Sequence, residues 1–170
     1  ISCDTLLLSC GLIPENELTK GIGAEISPIT NGSVVDQNRE TDVEGVFSCG
    51  NVLHVHDLVD YVSEEAEIAG KSASDYIKGI NNKTVRIPIS TDGKIRYTVP
   101  QVITEKKSTT LYFRTSGLYR NVKINVLADG KLALSRKKQR IAPSEMETLK
   151  IDGKILEGVS ELRLEVEELQ

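Results

Sequence analysis

Two periodicities in one chain predict an α/β part followed by an all-β part, the latter a small antiparallel sandwich or barrel. Up to about residue 83, short apolar runs alternate with a segment of helical spacing, and from residue 84 the apolar residues recur at every second position. The expected division is therefore 1–83 and 84–170. The 170 residues suffice for one mid-sized or two small domains.

Thr5-Leu6-Leu7-Leu8, closed by Ser9-Cys10-Gly11, reads as a strand buried on both faces. Pro14 breaks the chain, and Glu15 to Lys20 is expected as a short helix or turn. Gly21-Ile22-Gly23 reads as a loop, because it lacks the third glycine and the preceding strand of a dinucleotide fingerprint. Val34-Val35-Asp36 follows the turn Asn31-Gly32 as a short strand. Val46-Phe47-Ser48-Cys49 is another, entered through Gly45 and left through Gly50.

The strongest helix signal starts at Asp57, an N-cap residue type with Asp60 three positions on. Leu58, Val62, Ala66, Ala69, Ala73, Tyr76, Ile77 and Ile80 form the expected apolar stripe. Gly79 and Asn81-Asn82 supply the stop. Beyond it, the alternating sets are Val85/Ile87/Ile89, Ile95/Tyr97/Val99, Val122/Ile124/Val126, Leu132/Leu134 and Leu162/Leu164/Val166. Asp-Gly-Lys stands between such runs at Asp92, Asp129 and Asp152, and each is expected as a hairpin turn.

A net charge of -4 argues against a general nucleic-acid binder. No apolar run approaches the ~20 residues of a membrane span. The chain begins at Ile1 and enters an apolar strand at once, which predicts a piece of a longer polypeptide. Three cysteines without a Cys-x-x-Cys pair fit a reducing, cytoplasmic setting, with Cys3, Cys10 and Cys49 as packing residues. His54-Val55-His56-Asp57 contains two potential metal ligands but lacks a full set, and no metal is assigned. Arg136 to Arg140 is a basic cluster expected on a solvated loop or edge strand.

Thr41-Asp42-Val43-Glu44-Gly45-Val46-Phe47-Ser48-Cys49-Gly50-Asn51 resembles the second FAD motif of the pyridine-nucleotide-disulfide oxidoreductase superfamily. Asn51 stands where that family usually has Asp. Asp4 to Pro14 resembles the family's return strand with its Gly-x-x-Pro ending. Gly50 to Asp60 is similar to the branch holding the flavoprotein that accompanies anaerobic glycerol-3-phosphate dehydrogenase. The resemblance spans roughly residues 1 to 80.

The resemblance implies the C-terminal part of a Rossmann-like FAD-binding domain that lacks the N-terminal dinucleotide fingerprint. It implies FAD as cofactor, NAD(P)H as co-substrate, and a partner dehydrogenase subunit or homo-oligomer. Gly50 would allow close approach of the cofactor, and Asn51 would contact a ribityl hydroxyl. Aligning Ile68-Ala69-Gly70 with the family's small-residue pattern puts the backbone of Ser63 and Glu64 nearest the flavin pyrimidine ring. No catalytic residue is expected in this stretch, and the chain alone is expected to be inactive. The alternatives are a binding or assembly module on a degenerate flavin scaffold and, third, a small metalloprotein built on His54 and His56.

Overall fold

Eight strands follow residue 86 among the described residues, several of them with alternating apolar and polar side chains. They are β1 (Ile87–Thr91), β2 (Ile95–Val99), β3 (Val102–Ile103), β4 (Thr109–Thr115), β5 (Tyr119–Ala128), β6 (Lys131–Ile141), β7 (Glu147–Ile151) and β8 (Leu162–Glu168). The computed structural model describes residues 2–8, 11–80 and 82–169. It is mixed α/β, with most of its regular structure in two sheets. One sheet has the order β3-β1-β8-β5-β6 and the other β2-β4-β7.

Inward residues of both sheets form one core. Ile87, Ile95, Leu111, Phe113, Val122, Ile124, Val126, Leu149, Leu162 and Leu164 are buried together there, the arrangement that strand alternation produces when two sheets face each other. The sheets are not wholly antiparallel as expected, because β1 runs parallel to β8 with Ile89 opposite Leu162. Along the β6 side, Lys138 pairs with Glu147 at 2.8 Å and Arg136 donates to the Thr148 carbonyl, tying the sheets together by side chains. Arg136 to Arg140 lies on β6 at the sheet margin, as the charge pattern suggested.

Of the three Asp-Gly-Lys turns, one is a hairpin. Asp129 and Gly130 take positive φ between β5 and β6, which a tight two-residue turn requires. At Asp92 the chain passes from one sheet to the other, and Asp92 Oδ1 accepts the N–H groups of Lys94 and Ile95. At Asp152 the side chain caps a 3-10 turn, Gly153–Leu156. The same tripeptide serves three ends: Asp92 and Asp152 accept the N–H two residues on, whereas Asp129 accepts the N–H groups of Ser160 and Glu161.

Among the described residues up to 83, regular structure is limited to the helix α2, the short α1 and a 3-10 turn. α1 spans Glu17–Gly21, overlapping the helix or turn expected from Glu15 to Lys20. Thr5 to Leu8 form no strand and lie exposed, against the expectation of a buried one. Ser9, Cys10 and Asn81 lie outside the described residues. Cys3 is exposed and does not pack, contrary to expectation. The Val34-Val35-Asp36 segment makes isolated bridges, Val35 to Thr41 and Asp36 to Val102, in place of a full strand. Likewise Phe47 makes a single bridge, to Glu40. α2 spans Val59–Ile77 and starts one residue later than expected, with Leu58 rather than Asp57 at its N-cap and no side-chain cap.

A polar seam joins this stretch to the strands. Asp36 accepts from Thr104 Oγ1 and from its own loop at Asn38 and Glu40. Gln37 accepts from Thr104 N, Gln101 accepts from Val35 N, and Asn38 donates to Glu105. Lys83 closes the seam with Nζ 2.7 Å from Glu40 and 3.2 Å from Asp36. No helix among the described residues is long and apolar enough to cross a membrane.

The core assignment has a direct check. Leu164→Ala, on a fully buried side chain, should lower unfolding stability by about 2–5 kcal/mol in a denaturant titration. Leu132→Ala, 61% exposed on β6, should stay within about 0.5 kcal/mol. Equal losses would contradict the packing described.

Candidate functional site

The segment Val46 to Asn51 is held in place by its neighbours. Thr41 N–H donates to the Val46 carbonyl and Ser48 N–H to that of Arg39. At Gly50 the chain turns with φ at +71°, a region that suits glycine. A 3-10 turn, Gly50–Val52, then brings the N–H groups of Leu53 and His54 onto the Gly50 carbonyl. Leu53 lies directly against Gly32, where a Cβ would fall 1.7 Å from the Leu53 carbonyl oxygen. Only glycine fits at that crossing.

Behind the turn lies a buried carboxylate. Glu65, on the second turn of α2, is 0% exposed. Its Oε1 accepts from Arg39 Nε at 3.1 Å and faces His54 Nε2 at 3.0 Å. Its Oε2 accepts from the Gly50 N–H at 2.9 Å and faces His56 Nε2 at 2.9 Å. An ionised carboxylate has no proton to give, so both histidines present Nε2–H to it. Four donors thus occupy about four lone-pair directions. Both Nδ1 atoms are left buried without partners.

Aromatic rings from the β strands wall the cluster. The Tyr112 ring of β4 lies edge-on to His54 and His56, with centroids 6.2 Å away in each case, and 5.6 Å from Tyr61. The Arg39 guanidinium sits 5.6 Å from the Tyr112 centroid, a cation–π contact. Tyr97 of β2 stands edge-on to His54. Arg39 itself is 1% exposed and has φ at +65°, a conformation held by the loop hydrogen bonds around it.

The electrostatics follow from this cage. Burial alone would raise the Glu65 pKa, but the hydrogen bonds from His54 and His56 and the Arg39 charge outweigh it. The carboxyl is held well below its usual range. Burial pushes His54 down, against the pull of Glu65. Burial and the Glu65 charge both push the Cys49 thiol up, so it is a protonated, unreactive thiol at neutral pH. Tyr112 is pushed up by burial and by its hydrogen bond to Glu64.

His54, His56 and Glu65 could in principle supply three metal-ligand atoms, all within 4.8 Å of one another. Glu65 and Arg39 already balance in charge, and every Glu65 lone pair is in use. A divalent cation would leave excess positive charge buried beside Arg39, at large desolvation cost. The cluster is therefore suited to holding the backbone turn.

The expected site residues lie around this cage. Gly50 is buried on it, and Asn51 is exposed beside it with Oδ1 accepting the His56 N–H at 3.1 Å. Ser63 is exposed, with Oγ on the Val59 carbonyl. Glu64 accepts from Tyr112 Oη at 2.8 Å. Since α2 starts at Val59, the N–H groups left free by its first turn belong to Leu58 through Tyr61, and those of Ser63 and Glu64 lie one turn further in. Asp57, expected as the N-cap, instead binds the Arg114 guanidinium and the Met146 N–H of the β strands.

Sequence reasoning missed Glu65, Arg39 and Tyr112. A signal for Glu65 was present: it stands three residues after Val62 and four before Ala69, on the apolar stripe itself. Ala66, assigned to that stripe, is exposed. A separate cavity of about 700 Å³ lies between α2 and the strands, lined in part by Phe47, Lys71, Tyr76, Lys107 and Lys150, away from Asn51. Comparison with protein-family models, curated proteins and solved structures returns no match.

Two outcomes test the cage. Glu65→Ala leaves Arg39 buried and unpaired, and should cost about 3–5 kcal/mol of stability by urea unfolding. Stability should also fall with acid. His54 has a folded pKa below its ordinary 6.5, so the unfolded chain binds its proton first and stability declines as pH drops below that value. Glu65, also depressed, adds a second loss below the ordinary carboxylate value of 4.5. His54→Gln should flatten the first decline. A wild-type urea midpoint constant from pH 8 to 5 would refute this account. So would one equivalent of Zn²⁺ that raises the midpoint in wild type and not in His56→Gln.

Proposed function

We propose that this chain is part of an FAD-dependent oxidoreductase that carries electrons between a nicotinamide cofactor, FAD and an acceptor or partner subunit. The observation that carries the reading is the Gly50–Asn51 turn, clamped by Glu65 next to the start of α2. Asn51 is exposed there, and Leu58 and Val59 at the helix start are exposed too. A polar side chain, a glycine turn and free helix N–H groups side by side suit a ligand with hydroxyls and a ring that gains negative charge. FAD, when bound, would supply the hydride and electron chemistry.

The chain's own residues would do the holding. Gly50 lets the backbone come close, and the free N–H groups of Leu58 to Tyr61 would favour the more negative, reduced form of a ring placed before them. Cys49 is kept as a protonated thiol and takes no redox role. On this reading residues 1–83 are the C-terminal part of a Rossmann-like FAD domain. Leu6, Leu7, Leu8, Leu12 and Ile13 are all exposed, an apolar set of the kind that marks an interface. The remaining layer of such a domain would cover it.

The test is the visible spectrum of the full-length polypeptide carrying this chain, before and after anaerobic NADH. A flavin spectrum that bleaches supports the reading. A colourless protein that FAD cannot reconstitute refutes it and favours an assembly module. Residues 1–170 alone should show no tight FAD binding by calorimetry.

A further inference from the structure

His56 meets the cofactor turn twice. Its ring is held against Glu65 Oε2, the same oxygen that accepts the Gly50 N–H. Its backbone N–H donates to Asn51 Oδ1. That bond fixes the Asn51 amide, because a backbone N–H can face only the carbonyl end. The outward end of Asn51 is then its NH₂, a donor. An Asp at this position would present a second acceptor in its place.

The cage also reaches into the β strands. Tyr112 packs on His54, His56, Tyr61 and Arg39, and its hydroxyl donates to Glu64. Arg114, next but one on β4, donates to the Val55 carbonyl and to Asp57 on either side of His56. The loop carrying His56 is therefore gripped by β4 on one side and by Glu65 on the other.

We propose that His56 and Tyr112 are positioning residues that aim Asn51 as a hydrogen-bond donor at a ribityl-type hydroxyl, making the β domain part of the cofactor site; this rests on the flavin reading above. Neither residue need touch the ligand. Tyr112 acts through His56, and His56 acts through the Asn51 amide.

The experiment is a double-mutant cycle on FAD affinity in the full-length polypeptide, using Asn51→Ala and Tyr112→Leu. Each single variant should weaken FAD binding by about tenfold, and the double variant should be no weaker than either by more than about twofold. A packing defect unrelated to Asn51 would instead multiply the two effects, and that result would overturn the proposal. If Tyr112→Leu does not fold, His56→Gln takes its place in the cycle with the same two outcomes. Asn51→Asp adds an independent readout. It should weaken FAD binding and shift the flavin midpoint potential downward, whereas affinity and potential equal to wild type would also overturn the donor assignment. A wild-type protein that takes up no FAD sinks the flavin reading itself, a result distinct from normal FAD uptake with multiplicative variants.

Discussion

The loops around Arg39, Gly50, His54 and His56 and the start of α2 are organised around one buried carboxylate. Glu65 is the meeting point of a loop (Arg39), a turn (Gly50), a second loop (His54, His56) and a helix. The segments it joins have almost no ladder hydrogen bonds of their own, only isolated bridges. A hydrogen-bonded ion pair at 3.1 Å, with all of the Glu65 acceptor directions filled, replaces a sheet here. Such a centre is sensitive to the loss of any member, because a buried charge left unpaired is far costlier than one never buried.

That centre would be open to water without the β strands. Tyr112 and Tyr97 close it, and the bonds from Arg114 and Met146 to Asp57 fix where α2 begins. The usual side-chain cap of a helix start is absent because Asp57 is engaged elsewhere. Its first-turn N–H groups are thus left for water or a ligand. The seam from Asp36 to Glu105 is polar and largely buried, so the two stretches with different periodicity are bonded by matched donors and acceptors.

Five strands of the β part, β1, β2, β5, β6 and β8, were readable in the chain because alternation reports directly which face of a strand is buried, whereas β3, β4 and β7 were not. Val122, Ile124, Val126, Leu162 and Leu164 all point into the core as their spacing requires. Sheet membership was not readable. Asp-Gly-Lys at Asp92 looks like a hairpin, yet it links two sheets, and β1 pairs with β8 in parallel across more than 70 residues. Local turn chemistry sets how a chain bends, while strand partners depend on which apolar faces meet.

The candidate site divides in the same way. Gly50, Asn51 and the helix after them could be picked out from residue types and order, since a glycine turn before an amphipathic helix is a local pattern. Glu65 gave only its place on the apolar stripe as a signal, because a glutamate on a helix is usually solvated and its burial depends on four donors from other segments. Arg39, His54, His56 and Tyr112 acquire their roles only when the loops and β4 close around that oxygen pair. The sequence by itself determined the α2 helix and the alternating strands β1, β2, β5, β6 and β8, but not the short runs before residue 50 or the strands β3, β4 and β7. Tertiary structure alone decided which charge could be buried, because a carboxylate leaves water only where its hydrogen bonds are all replaced.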